Sequence, residues 1–235
     1  APVVGVPSNA WVETIELPPS INGIAFSPDG KFAYLVRDRV SDGTDGPDLL
    51  YIVEIESGQV TAEVSLGEGL PREIVVHPDG SKAYVANQPG LQVIDTATAE
   101  VVDVIDVDTY GAYALAISPD GGRVYLTAIN YWDDDFLAVV NTETNQLVEK
   151  IPVGKVPLDV AVSPDGSKVY AVSMDDRTVT VVDASSNQVV DTIDVDVPGI
   201  DREHPAAIAI SWGPAVPSYD VVIDTDNLEI NGDPQ

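Results

Sequence analysis

Short apolar runs separated by polar turns recur along the chain, with a similar phrase at the centre of each unit. One unit, YALAISPDGGRVYLTA from Tyr113, places small and apolar residues on both sides of Ser-Pro-Asp-Gly. Pro119 presets φ for a turn and Gly121 tolerates positive φ, while the residues from Val124 onward favour extended backbone. The pattern predicts a β-hairpin, whose strands we label A and B.

A second pair of apolar runs follows each hairpin. In FLAVVNTETNQLVEKIPV, from Phe136, a polar turn separates two runs that predict strands C and D. One unit is therefore an antiparallel meander of four strands. The residue that opens the A–B turn recurs at intervals of roughly 40 to 50 residues, a period typical of propeller blades, as Ser27, His77, Ser118 and Ser163.

The two ends of the chain complete this pattern. AAIAIS from Ala206 resembles a fifth strand A, YDVVID from Tyr219 fits its strand B, and VVGVPSNAWVETIEL from Val3 aligns with strands C and D. The sequence predicts a single all-β domain, a five-bladed β-propeller whose last blade is shared by the N- and C-termini. The predicted blades cover residues 21–66, 71–106, 112–153, 157–195, and 206–224 with 3–17, followed by a tail at 225–235.

Composition narrows the range of partners. The chain has 39 acidic and 11 basic residues, a formal net charge of −28, and no cysteine. It has no basic stripe for nucleic acid, and it can form neither disulfides nor thiolate metal sites. No apolar run approaches the roughly 20 residues that cross a bilayer, so membrane insertion is not expected. The first residue, Ala1, suits a processed chain, and we expect an exported monomer: periplasmic, secreted or at the cell surface.

The repeated phrases resemble YVTN-type β-propeller repeats, and YVAN at residues 84–87 is close to the motif that names them. Such repeats occur in surface-layer proteins, in exported proteins of the YncE type and in lactonase-like propellers. The resemblance covers residues 3–224. It implies the propeller fold and says little about function. Many members have seven blades, so five would be a departure.

The meander places the B–C and D–A connections on one face of the ring, where the variable loops lie. In the first of these loops, SDGTDGPD spaces carboxylates between glycines at Asp42, Asp45 and Asp48. Calcium takes several oxygen ligands from a tightly bent chain, so these residues suggest a calcium site, although the spacing departs from the EF-hand loop. The alternative is a solvated acidic hairpin tip. Calcium is the only cofactor that the sequence suggests.

A second loop on this face combines aromatic rings with acids. Aromatic side chains on a protruding loop can anchor a partner, which predicts an interaction patch. The alternative is a solvated tip whose rings pack on a neighbouring blade. The patch consists of Tyr131, Trp132, Asp133, Asp134 and Asp135.

The third candidate region is the mouth of the central channel, where each strand A begins. The aligned positions there differ from unit to unit, whereas the rest of the repeat does not. This divergence predicts a ligand-binding site, against the alternative of a merely wet channel mouth that tolerates any polar residue. The candidate residues are Asn22, Arg72, Glu73, Tyr113, Asp159 and His204.

Two functions follow from these features. The first is an exported or cell-surface binding or structural module, with a protein, glycan or small molecule as its ligand. The second is a metal-dependent enzyme of the lactonase or lyase type, with carboxylates and His204 at the channel mouth. The sequence identifies no catalytic residue, since it lacks a G-x-S-x-G motif and a phosphate-binding loop.

Overall fold

The computed structural model describes residues 20–38, 46–130, 134–195, 207–212 and 219–224. In these ranges, the chain consists of β-strands joined by turns and loops. Sixteen strands form four antiparallel sheets of four strands each, and two more form a two-stranded sheet. The predicted all-β fold with four-stranded antiparallel blades is confirmed. The described residues contain no helix with the length and apolar character needed to cross a membrane.

Each blade uses its four strands in chain order, so that neighbours in sequence are neighbours in the sheet. Blade 1 consists of β1 (Ile21–Phe26), β2 (Phe32–Arg37), β3 (Asp48–Glu54) and β4 (Gln59–Gly67). Blade 2 consists of β5 (Ile74–Val76), β6 (Lys82–Asn87), β7 (Gly90–Asp95) and β8 (Glu100–Asp106). Blade 3 consists of β9 (Gly111–Ile117), β10 (Arg123–Ile129), β11 (Phe136–Asn141) and β12 (Gln146–Pro152). Blade 4 consists of β13 (Pro157–Val162), β14 (Lys168–Ser173), β15 (Thr178–Asp183) and β16 (Gln188–Asp194). The two-stranded sheet contains β17 (Ala207–Trp212) and β18 (Tyr219–Asp224).

The first strands of the sheets contact one another in sequence, β1 with β5, β5 with β9, β9 with β13 and β13 with β17. These strands therefore line the channel, and the fourth strands form the outer edges. Burial follows this order. The middle strands are buried on both faces because a neighbouring blade packs on each side, whereas every residue of the outer strand β16 is exposed.

A buried tyrosine in the second strand of each blade joins that blade to the next. Tyr34, Tyr84, Tyr125 and Tyr170 hold the same position in the four units, and none is more than 8% exposed. Each belongs to an apolar cluster that includes residues of the following blade. Tyr170 packs in this way with Ile208 of β17, so the two-stranded sheet occupies the position of a fifth blade.

The A–B turns have the geometry that Ser-Pro-Asp-Gly predicts. In blade 4, the Ser163 hydroxyl donates to Asp165 at 2.7 Å and accepts from the Lys168 N–H at 2.9 Å. In blade 2, His77 replaces the serine, and its Nε2 lies 3.1 Å from the Gly121 carbonyl oxygen in blade 3. The imidazole therefore connects two blades, which the smaller serine does not do.

Within the described residues, the predicted closed ring of five blades is not complete. Ile24 of β1 is 54% exposed, whereas its counterparts Ile74, Leu115 and Val160 are at most 5% exposed because the preceding blade covers them. The described residues therefore form four complete blades and a two-stranded sheet, with Ile24 of the inner strand of blade 1 exposed. The strands expected to complete blade 5, residues 3–17, lie outside the described residues.

Candidate functional site

Five of the six residues predicted at the channel mouth lie where the inner strands begin. Asn22 is in β1, Arg72 and Glu73 directly precede β5, Tyr113 is in β9 and Asp159 is in β13. The sixth, His204, lies outside the described residues. The sheet topology therefore brings residues from four blades to one end of the channel, because the chain enters every blade at the same end of its first strand.

The two carboxylates bind backbone groups of the next blade. Glu73 Oε2 accepts from the Leu115 N–H at 2.9 Å, and Asp159 Oδ2 accepts from the Ile208 N–H at 2.6 Å. The two acids occupy the same position in their repeats, and so do the two donors. Asp159 Oδ1 also accepts from the Val160 N–H at 2.8 Å. These acids therefore link blade 2 to blade 3 and blade 4 to the two-stranded sheet.

The same repeat position in blade 1 is Gly23. A Cβ atom there would lie 2.9 Å from the Arg72 carbonyl oxygen and 2.9 Å from Glu73 Cα, so blades 1 and 2 approach too closely for a side chain. Asn22 makes the link instead, and its Nδ2 donates to the Pro71 carbonyl at 3.0 Å. The divergence between units at this position thus has a structural role in blade-to-blade contact.

Burial changes the acidity of both channel carboxylates. Burial raises the pKa of Glu73 to about 7; the Leu115 N–H opposes this change, and the negative charge of Asp159 adds to it. Burial also raises the pKa of Asp159, while the N–H groups of Ile208 and Val160 act in the opposite direction. Burial, with a smaller contribution from the negative charge of Asp159, therefore favours the neutral form of the Glu73 carboxyl.

Arg72 and Tyr113 form the outer part of the site. The guanidinium carbon of Arg72 lies 4.5 Å from the centroid of the Tyr113 ring, a cation–π distance. Gly111 allows this arrangement, because a Cβ atom at Gly111 would be 2.7 Å from Tyr113 Cε2. Beside this pair lies a cleft of about 100 Å³, which we call the Arg72 cleft, lined also by Leu70, Gln88, Tyr110, Ala112 and Ile129.

The predicted calcium site is only partly within the described structure. Asp42 and Asp45 lie outside the described residues. Asp48 is 1% exposed, and its Oδ2 accepts from the N–H groups of Gly69 and Leu70 at 3.1 and 3.3 Å. Leu70 has a φ of 58°, so this carboxylate fixes a loop residue in the left-handed region. In the part of the chain that the structure describes, no three His, Asp or Glu side chains are grouped to hold a metal ion.

Asp135, one of the acids of the predicted interaction patch, is buried. Tyr131, Trp132 and Asp133 lie outside the described residues, and Asp134 is exposed. Asp135 is only 8% exposed and accepts from the N–H groups of Asn130 and Val156 at 2.7 Å each. It therefore faces the backbone, as Asp48 does in blade 1.

Sequence reasoning missed Gly111 and Gln88 as members of the site. Gly111 is a glycine immediately before the aligned start of strand A, which indicates close approach of a neighbouring group. Gln88 has no comparable signal, because it comes from the B–C connection of blade 2 and reaches the cleft only through the fold.

Comparison with known proteins identifies the class of propeller. Residues 46–199 match the family described as lactonase, 7-bladed beta-propeller. The family therefore has seven blades, and the count of five is corrected. The narrower resemblance to YVTN-type repeats stays a prediction.

Several relatives share long segments with this chain. The seven-bladed beta-propeller protein Rv1057 of Mycobacterium tuberculosis is 29% identical over 49% of this chain and 28% of its own length. Hydrazine synthase subunit beta of Kuenenia stuttgartiensis is 32% identical over 68% of this chain and 52% of its own length. The solved hydrazine synthase of the same organism superimposes with a TM-score of 0.70 at 23% identity, covering 91% of this chain and 59% of that chain. The chain thus spans about half or less of these curated relatives, and the structural likeness shows the fold.

Proposed function

Because this chain belongs to the lactonase family of seven-bladed β-propellers, we propose that it is a binding module that holds a small molecule at the channel mouth. The observation that carries this proposal is that the residues at the channel mouth make two different kinds of contact. Glu73 and Asp159 are engaged with backbone N–H groups of the next blade, whereas Arg72 and Tyr113 face the Arg72 cleft. A half-buried aromatic ring beside an exposed guanidinium, at a cleft of a rigid scaffold, favours binding of a ligand.

An exported or cell-surface location is part of this proposal. The resemblance to YVTN-type surface proteins and the net charge of −28 support it, since a strongly acidic surface keeps a protein dispersed. A small ligand is favoured over a protein or a glycan chain because the cleft holds only about 100 Å³. The predicted calcium site at Asp42 and Asp45 belongs to the same proposal as an accessory site, and equilibrium dialysis against calcium tests it.

Ligand-observed NMR with a library of neutral, anionic and cationic fragments tests the binding function. We expect a subset of fragments to bind, and Tyr113→Leu to abolish their signal. The matched control is Phe26→Leu, an exposed aromatic of β1 outside the cleft, which should leave binding unchanged. If no fragment binds, or if both variants behave alike, the binding proposal is refuted.

A second candidate function has one specific observation in its favour. The pKa of Glu73 is raised to about 7, which suits a general acid or base, and the family carries the lactonase name. The described carboxylates do not fit a metal site, because both oxygens of Asp159 and one of Glu73 accept backbone N–H groups. Hydrolysis of lactones that is lost in Glu73→Gln would favour the enzyme over the binding module.

A further inference from the structure

Within the described residues, the guanidinium of Arg72 contacts a ring and pairs with no carboxylate. Lys168 pairs with Asp183 at 2.9 Å, and Lys82 donates to the Thr142 carbonyl at 2.9 Å. Arg123 donates to Ala184 and Asn187 of the next blade. Arg72 is exposed, and its side chain has the Tyr113 ring as its partner but no acceptor for its N–H groups in this part of the chain. In a chain with 39 acids and 11 bases, this is unexpected on composition alone.

The nearest acid in sequence does not compensate Arg72. Glu73 follows it directly, but the Glu73 carboxylate accepts from the Leu115 N–H on the channel side. Residues on adjacent positions of extended backbone point in opposite directions, which separates the two side chains. The guanidinium is consequently held over a ring, with unused hydrogen-bond donors at the edge of the Arg72 cleft.

We propose that the Arg72 cleft binds a small organic acid, whose carboxylate pairs with Arg72 and whose apolar part lies against Tyr110. This inference rests on the proposed binding function and names its ligand class. Arginine presents a planar fork that matches both oxygens of a carboxylate, and stacking on Tyr113 limits the orientations of that fork. Tyr110 is 56% exposed and lines the same cleft, which provides the apolar contact.

The volume of the cleft and the net charge of the protein narrow the class of ligand. The cleft volume of about 100 Å³ is well below the roughly 300 to 1,000 Å³ of typical ligand pockets, so the cleft accepts a carboxylate and the first atoms attached to it. The net charge of −28 repels polyanions, but at physiological salt this field is screened beyond about 8 Å. A single carboxylate in contact with Arg72 is therefore favoured over a multiply charged ligand.

The test compares an acid with its uncharged isostere. Tyrosine and arginine side-chain resonances of the full chain are followed during titration with benzoate and with benzamide. We expect benzoate to bind about ten-fold more tightly, the factor for one charge-assisted pair. Arg72→Gln should remove this preference, and Lys155→Gln, an exposed lysine on the same face in blade 4, should retain it.

The outcomes separate this inference from the function on which it rests. Equal binding of benzoate and benzamide, both lost in Tyr113→Leu, would overturn the acid class and leave the binding module intact. Equally strong binding of inorganic phosphate would also overturn it, since the cleft would then be a general anion site. If neither probe shifts any cleft resonance and the fragment library is also silent, both proposals fail.

Discussion

The replacement of Glu73 by glutamine should make the protein more stable above neutral pH. In the folded state the pKa of Glu73 is raised from 4.5 to about 7, so the folded protein binds more protons than the unfolded chain between these values. Stability contributed by the neutral carboxyl is therefore present below about pH 4.5 and is lost as the pH rises to about 7. Glutamine stays neutral and retains an oxygen that can accept from the Leu115 N–H.

The size of the effect follows from the two acid constants. A tenfold change in an acid constant corresponds to about 1.4 kcal/mol, so the raised pKa sets an upper limit of about 3 kcal/mol. Glu73 is partly exposed in the channel, and screening by water reduces this to about 1 to 2 kcal/mol. The Glu73→Gln variant should therefore gain about 1 to 2 kcal/mol at pH 8 and little at pH 4.5.

Urea unfolding at pH 4.5, 6, 7 and 8 measures this difference. The control is Glu149→Gln, an exposed acid on the outer strand of blade 3, which removes one charge without changing the channel. The reasoning is refuted if Glu73→Gln and Glu149→Gln show the same dependence of unfolding free energy on pH. It is also refuted if Glu73→Gln gains stability equally at all four values.

Further predictions concern packing and charge. Gly90→Ala should cost about 1 to 3 kcal/mol in urea unfolding because the added Cβ would lie 2.1 Å from the Ile105 carbonyl oxygen. Gly122→Ala should cost less, because its Cβ would be 3.3 Å from a side-chain oxygen. Tyr84→Phe should be neutral or stabilising in urea unfolding, since the Tyr84 hydroxyl is buried and finds no hydrogen-bond partner among the described residues. The melting temperature should rise between low and molar KCl because salt screens the repulsion within a chain of net charge −28, and an unchanged melting temperature would contradict this.

The blades could be predicted from the sequence because local chemistry determines them. Ser-Pro-Asp-Gly specifies its own turn, and the strands beside it alternate with the spacing that a meander requires. The number of blades has a different origin. It depends on the angle between neighbouring blades and on what covers Ile24, and neither is encoded within one repeat.

The site could be predicted from the sequence only at positions where one unit differs from the others. Arg72 and Tyr113 differ from their aligned counterparts, and the structure places them in contact. Asp48 and Asp135 resemble solvated loop acids in sequence, yet both bind N–H groups about 21 residues further along the chain, at Gly69 and Val156. A carboxylate near a turn looks the same in sequence whichever way it faces, so this distinction needed the fold.

The buried tyrosines between blades give the series of blades a direction. Blades 1 to 4 each insert a ring into the sheet that follows, and blades 2 to 4 each receive one from the blade before, so the two surfaces of a blade are different. Removing β17 and β18 would bare the ring of Tyr170, whereas removing blade 1 would bare the aliphatic pocket around Ile74. Shortening the protein from opposite ends should therefore give products with different solubility, and two shortened chains should join only head to tail.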